Sequence, residues 1–169
     1  MRGLKTILHG AGRILFGGAP TVCLSCGEEA GAFLFGDRQF TVLKNGIDIN
    51  RFAFDIEKRL AARKRLGLKS DTVLVGTIGR VVQQKNPLFC VKVFHELLAC
   101  DSRVRLLLIG SGNLDSDVDQ LISDLHINEY VVRIPTTPNV SEYYSALDAF
   151  LLPSRFEGIP FTAIEAQCA

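Results

Sequence analysis

The apolar positions from residue 73 onward change period several times, and each change marks an element. Val73–Ile78 is a short β-rich apolar run closed by Gly79, the pattern of a strand buried on both faces. Asn86-Pro87 supplies an N-cap and a first-turn proline, after which Phe89, Cys90, Val93, Phe94, Leu97 and Leu98 recur at helical spacing up to Cys100. Val104–Ile109 reads as a second strand, closed by Gly110-Ser111-Gly112. The next helix carries Asp115 and Asp117 in its first turn, where the helix dipole favours them, and Val118, Leu121, Ile122 and Leu125 on one face. Residues 130–134 form a third strand, and Asn139 with Glu142 three residues on forms a capping box for a short helix through Leu147. A fourth strand over 149–152 and a helix over 160–169 complete βαβαβαβα. Its short connections predict an α/β fold, a Rossmann-like parallel sheet with helices on both faces. Ligands of such sheets sit beyond the C-terminal ends of the strands, so loops 79–86, 110–114, 135–139 and 153–160 are the ones to inspect.

The first 72 residues are less regular. They predict a weak helix over 2–16, a strand over 21–24, a helix over 28–35, an extended 40–43, a turn at Asn45-Gly46 and a helix over 55–66.

Composition narrows the class. With 169 residues, 47% apolar, 22% charged and a net charge of +1, the chain is globular rather than disordered. No run approaches the ~18 uninterrupted apolar residues of a membrane helix. Five cysteines, odd in number and irregularly spaced, argue against a disulfide framework and fit a reducing cytoplasm. The start Met1-Arg2-Gly3-Leu4-Lys5 resembles a secretion signal, but His9, Gly10, Gly12 and Arg13 interrupt the apolar region, so it reads as mature sequence. Charge is uneven: residues 1–100 carry 15 basic and 8 acidic groups, and residues 101–169 carry 4 and 10. The basic run Lys58, Arg59, Arg63, Lys64 and Arg65 reads as the solvated face of a helix in preference to a surface for lipid or nucleic acid, and no aromatics interleave with it.

Two places carry candidate chemistry. In the loop 153–165, Glu157 precedes a helix that Pro160 opens, and Glu165 sits within it. Proline at the first helical position leaves the amides of Ile159, Phe161 and Thr162 open to an anion. An anion between two carboxylates is repelled unless the ligand also offers hydroxyls, which a ligand with phosphates and sugars does. Two surface glutamates flanking an ordinary helix start explain the spacing equally well. Beyond the first strand, Arg80 and Lys85 could clamp a diphosphate or remain solvent charges. Cys23-Leu24-Ser25-Cys26 has redox or half-zinc spacing without supporting context and reads as buried thiols. Gly10-x-Gly12 and Gly110-x-Gly112 lack the third glycine of a dinucleotide fingerprint. His9, His95 and His126 are single and have no ligand spacing.

Taken together, Asn45-Gly46-Ile47-Asp48 with Phe52, Gly79-Arg80 with Gln84-Lys85-Asn86, Ile109-Gly110-Ser111-Gly112, Asp148 before Pro153-Ser154, and Glu157 and Glu165 with seven residues between them resemble the family-4 (group 1) retaining glycosyltransferases of GT-B fold. Cys26-Gly27-Glu28-Glu29-Ala30 and Leu34-Phe35-Gly36 are similar to the end of the acceptor domain in bacterial polysaccharide-assembling members. The resemblance implies a UDP-, GDP- or ADP-sugar donor and no divalent metal. It implies that Arg80 and Lys85 hold the diphosphate, that Glu165 bonds the ribose hydroxyls, and that Glu157 faces the donor sugar with the Gly158-Ile159-Pro160-Phe161 backbone nearby. Arg80, Lys85 and Glu157 are then the catalytic set, and the base rests near Ile134, Pro135 and Thr136. The sequence departs from the family at Pro135, where glycine is usual, and at Asn139, where aspartate is common.

The resemblance further implies an incomplete C-terminal half of a GT-B fold: residues 1–44 as a remnant of the acceptor domain, 45–72 as linker and entry segment, and 73–169 as a partial donor domain. A saccharide or lipid-linked saccharide acceptor, a role in bacterial surface polysaccharide assembly and a cytoplasmic place, with peripheral attachment to the inner membrane face left open, follow from it. So do inactivity of this chain alone and self-association through an uncovered sheet edge. The alternative is a non-catalytic nucleotide-binding remnant.

Overall fold

The chain divides into two compact units, Met1–Gly46 and Ile47–Ala169. The computed structural model describes residues 22–169. The expected helix over 2–16, the signal-like start, His9, the Gly10-x-Gly12 pair and Thr21 lie outside the described residues.

In the first unit, β1 (Leu24–Ser25), α1 (Glu28–Phe35) and β2 (Thr41–Val42) form a small parallel β-α-β, with Leu24 opposite Thr41 and Ser25 opposite Val42. The strand expected over 21–24 therefore pairs later, through Leu24 and Ser25. Glu28 and Glu29 lie at the positive end of α1, and Gly36, with φ of 63°, takes the left-handed position that ends it. Cys23 and Cys26 are free and half-buried rather than buried.

The second unit opens with two capped helices. Asp48 accepts from the Asn50 amide at the start of α2 (Ile49–Phe52), and Asp55 accepts from the Glu57 and Lys58 amides at the start of α3 (Ile56–Arg65). The short α2 was not foreseen, and Asn45-Gly46 forms no turn; it runs as irregular chain where the two units divide. Then follow β3 (Val73–Ile78), α4 (Pro87–Cys100), β4 (Val104–Ile109), α5 (Asp115–Asp124), a 3-10 turn (Asn128–Tyr130), β5 (Val131–Ile134), α6 (Val140–Ala146), β6 (Ala149–Phe150) and α7 (Phe161–Cys168).

All four strands are parallel, in the order β5-β4-β3-β6. Alternation along β4 shows the two-sided burial: Leu106 and Leu108 join Val91, Phe94, Val118 and Ile122 on one face, while Leu107 and Ile109 join Phe52, Ala62, Tyr144 and Ala146 on the other. On the first face the Cys90 thiol is fully buried, and desolvation pushes its pKa up to about 12, so it is inert packing. The chain steps outward from β3 to β5 and then returns to place β6 on the other side of β3. That reversal creates a crevice at the C-terminal ends of β3 and β6. Among the described residues the outer side of β6 is unpaired.

Several local expectations are corrected. Asn86 sits before Pro87 but is left-handed, with φ of 53° and ψ of 49°, and its side chain caps nothing; its carbonyl instead accepts from Phe89 and Cys90. The Asn139–Glu142 capping box does not form, because the Glu142 carboxylate is drawn 2.6 Å from Arg65 Nη2 on α3. Strand β6 is half the expected length, although the Leu151 amide still donates to Gly76. Nor is the basic run merely a solvated face. Arg59 donates to the carbonyls of Ser145, Ala146 and Leu147 at 3.1, 3.1 and 2.8 Å, satisfying the open C-terminal end of α6. Buried Arg63 donates to Ala146 and Thr72, and both guanidiniums pair with Asp148. No helix among the described residues is long and apolar enough to cross a membrane.

Where the strands end, β3 and β4 remain zipped. The Gly79 amide donates to Ile109, Val81 to Ser111 and Leu114 to Val81. Gly110 adopts φ of +133°, and a Cβ there would overlap the Gly79 carbonyl oxygen. Gly110→Ala is therefore expected to cost about 2 kcal/mol or more, read as a lowered urea midpoint. An unchanged midpoint would show that the two loops can part freely.

Candidate active site

The crevice is built by the loop after β3 and the loop after β6. The first is a compact turn: the Lys85 amide donates to Val82 at 2.9 Å, folding the chain back so that Lys85 faces the second loop. Two further bonds stitch the loops together, from the Arg155 amide to Gln84 at 2.8 Å and from Gln84 Nε2 to the Phe156 carbonyl at 3.2 Å. They bring Lys85 Nζ to 2.6 Å from Glu157 Oε1, with the two side chains 20% and 17% exposed. Arg80 stands exposed on the same loop and acts on Glu157 through its charge. Partial burial works to raise the Glu157 pKa, but the Lys85 ammonium, the Ser154 hydroxyl and the charge of Arg80 together outweigh it and hold the carboxyl below its ordinary value. Lys85 is thus engaged by the carboxylate that the family resemblance sets against the donor sugar, while Arg80 remains exposed.

Pro160 proves to be the N-cap of α7 rather than its first helical residue. The first turn is closed onto its carbonyl by the Ala163 and Ile164 amides, which leaves the amides of Phe161 and Thr162 without helical partners. Ile159 precedes the helix, so its amide is not one of the helix's open donors. Gly158 and Phe161 are exposed, and Ile159 is half-buried. Thr162 Oγ1 is buried and makes no hydrogen bond among the described residues.

Glu165 lies one turn into α7, where Tyr144 of α6 donates its hydroxyl to Oε2 at 2.7 Å. Sequence reasoning passed over Tyr144, one of three tyrosines, because nothing local links it to a glutamate 21 residues away. Asp148, in sequence only a residue preceding Pro153-Ser154, has a structural role. Its carboxylate accepts from the Leu74 amide at 2.7 Å while pairing with Arg59 and Arg63, and it anchors the start of β6 to β3.

Ile134 and Pro135 are placed apart from this cluster. Ile134 ends β5 and its carbonyl accepts from Gly110 at 2.9 Å, while Pro135 is exposed just beyond. One strand intervenes between β5 and β3, so this loop lies roughly 10 Å across the sheet from the β3 loop. Among the described residues no three His, Cys, Asp or Glu side chains converge as a metal set.

The sequence pattern of the glycosyl transferases of group 1 matches residues 58–169, which take in both loops, the whole four-stranded sheet and α7. The chain belongs to the group 1 glycosyl transferases. It is 30% identical over 134 residues to an Escherichia coli UDP-Gal:alpha-D-GlcNAc-diphosphoundecaprenol alpha-1,3-galactosyltransferase, covering 76% of this chain and 34% of the relative. It is likewise 30% identical over 138 residues to the capsular polysaccharide biosynthesis glycosyltransferase CapM of Staphylococcus aureus, covering 78% and 35%. The glycosyltransferase chain spans under half the length of these curated relatives. Its fold matches that of Anabaena HepE, solved with UDP-glucose, at a TM-score of 0.83 and 20% identity, covering 95% of this chain and 46% of that one. The WaaG glycosyltransferase of lipopolysaccharide biosynthesis matches at 0.73 and 20%, covering 85% and 40%. The α/β sheet is accordingly that of GT-B glycosyltransferases.

Proposed function

We propose that this glycosyltransferase chain binds a nucleoside-diphosphate sugar and supplies the donor side of a sugar transfer that retains configuration. The observation that carries the reading is the convergence of Arg80, Lys85 and Glu157 at the reversal point of the sheet, beside the open amides of α7. The diphosphate lies against Arg80, Lys85 and the Phe161 and Thr162 amides. The Thr162 hydroxyl, buried without a partner among the described residues, donates to an acceptor there in this reading. Glu165 takes the ribose hydroxyls, and Glu157, once Lys85 turns to phosphate, takes hydroxyls of the sugar. The base reaches across to Ile134 and Pro135, a span of roughly 10 Å that suits a nucleoside lying over the strand ends.

In the transfer, the bond between the anomeric carbon and the diphosphate oxygen breaks with its electron pair leaving on oxygen. A bond to an acceptor hydroxyl forms at that carbon, and the hydroxyl proton is released. Arg80 and Lys85 stabilise the charge that grows on the departing nucleoside diphosphate. This reading assigns charge neutralisation to two side chains and invokes no divalent metal. The named relatives are bacterial saccharide-assembling enzymes, one of them acting on a diphosphoundecaprenol-linked sugar. They support a saccharide or lipid-linked saccharide acceptor and bacterial surface polysaccharide assembly; a cytoplasmic or peripheral membrane place for the whole protein is part of the proposal. Self-association along the free side of β6 belongs to the same proposal.

Calorimetric titration with UDP, GDP and ADP tests the reading. At least one is expected to bind saturably. Glu157→Gln, by releasing Lys85, is expected to tighten the diphosphate several-fold while weakening the corresponding nucleotide-sugar. No saturable heat from any of the three would overturn the proposal.

A further inference from the structure

The ion-paired loops account for the phosphate end of the site, but Glu165 depends on a group outside them. Tyr144 is 3% exposed, and its ring is fixed between Phe52, at 5.9 Å and 75°, and Phe150, at 5.8 Å and 53°. These rings belong to α2 and β6, so three separate segments of the fold set the direction of one phenol. That phenol donates to Glu165 Oε2 at 2.7 Å, and among the described residues no hydrogen bond reaches Oε1. A hydroxyl donor on one oxygen holds the carboxylate plane and leaves the other oxygen's lone pairs for a ligand. Burial and the neighbouring carboxylate both push the phenol pKa upward, so Tyr144 stays a donor at any pH the fold tolerates.

We propose that Tyr144 is a positioning residue for ribose recognition: its buried hydroxyl pins Glu165 Oε2 so that Oε1 is presented to the vicinal hydroxyls of the nucleotide. The proposal rests on the assignment of Glu165 to the ribose. It explains why a tyrosine, rather than the phenylalanine that ring packing alone would accept, occupies this place. A buried hydroxyl is unfavourable unless it is hydrogen-bonded, and the bond it makes is to the one glutamate inside α7.

The test compares UDP with 2′,3′-dideoxy-UDP by calorimetry, run in parallel with the GDP and ADP pairs. Wild type is expected to prefer the ribonucleotide by about ten- to a hundred-fold, the worth of a hydrogen bond to a charged group. Tyr144→Phe keeps both ring contacts and is expected to lose most of that preference while binding the dideoxy nucleotide as wild type does. In a Glu165→Ala background the same substitution should leave the ratio unchanged, since the pair acts as a unit. Phe52→Leu, which loosens the brace but keeps the hydroxyl, is the second arm and should lower the ratio by a smaller factor. Absence of any preference in wild type removes the ribose role of Glu165, and this inference with it. A wild-type preference that persists undiminished in whichever variant folds overturns the role of Tyr144 alone. An equal loss of affinity for both nucleotides does the same, because it marks Tyr144 as packing.

Discussion

Alanine at both Arg80 and Lys85 is expected to weaken nucleoside-diphosphate binding by about 10²- to 10⁴-fold. Each cation contributes a charge-assisted bond to phosphate worth about 1.5–3 kcal/mol, and 1.4 kcal/mol is a factor of ten in affinity. The lower end is favoured because Lys85 is already engaged: its ammonium is 2.6 Å from Glu157, and binding exchanges that carboxylate for phosphate rather than creating a bond from water. Lys85→Ala alone also leaves Glu157, whose side chain is 17% exposed, facing the diphosphate with its charge uncompensated except by Arg80. The single change should therefore approach the double one in effect. Calorimetric titration of UDP, GDP and ADP against each variant reads this. Heats equal to those of wild type in the double variant would remove the phosphate site.

The largest effect on stability is expected at Asp148. One carboxylate accepts from the Leu74 amide and pairs with Arg59 and Arg63, joining β3, α3 and the start of β6. Asp148→Ala leaves an amide and two guanidiniums without their anion. The cost is put at about 2–3 kcal/mol, below the ~3–5 of a fully buried pair because the carboxylate is 31% exposed. In a domain of this size that lowers Tm by about 4–12 °C. The pH dependence follows from the sign of the shift. Partial burial tends to raise the Asp148 pKa, but the Leu74 amide and the two arginines outweigh it, so the folded-state value lies below 3.8. A depressed carboxyl contributes its full stability above the unfolded-state value and loses it as pH falls through the folded-state one. The gap between wild type and Asp148→Ala in urea denaturation should be widest near neutrality and should shrink in acid. A constant gap from pH 7 to about pH 3 would mean that the ionised carboxylate is not the source.

Much of the architecture was legible because it rests on short-range rules. Alternation in 104–109, helical spacing from Phe89 to Leu98 and the acidic first turn at Asp115 and Asp117 each specify an element through neighbours a few residues apart. Local rules failed where a distant group competed. Glu142 was available to cap Asn139, but Arg65 offered a charge partner and took it. Arg59 and Arg63 read as solvated because their partners, the carbonyls at the end of α6 and Asp148, lie more than 80 residues away.

The candidate site divides the same way. The kinds of residue it needs, two cations after a strand and two glutamates around a helix start, are written in the sequence, as is the group 1 pattern that contains them. Their meeting is not. Lys85 and Glu157 are 72 residues apart, and they touch because β6 returns to pair with β3, a choice of strand order made by burial on both faces of the sheet. Tyr144 reaches Glu165 because α6 and α7 pack on the same face, which no spacing along the chain encodes. Sequence by itself determined the elements and the chemistry carried on them, since backbone geometry and side-chain period are local. Only the tertiary structure decided which charges neutralise one another and which oxygen of Glu165 is left for a ligand, because those outcomes depend on distances between segments that the chain joins only by folding.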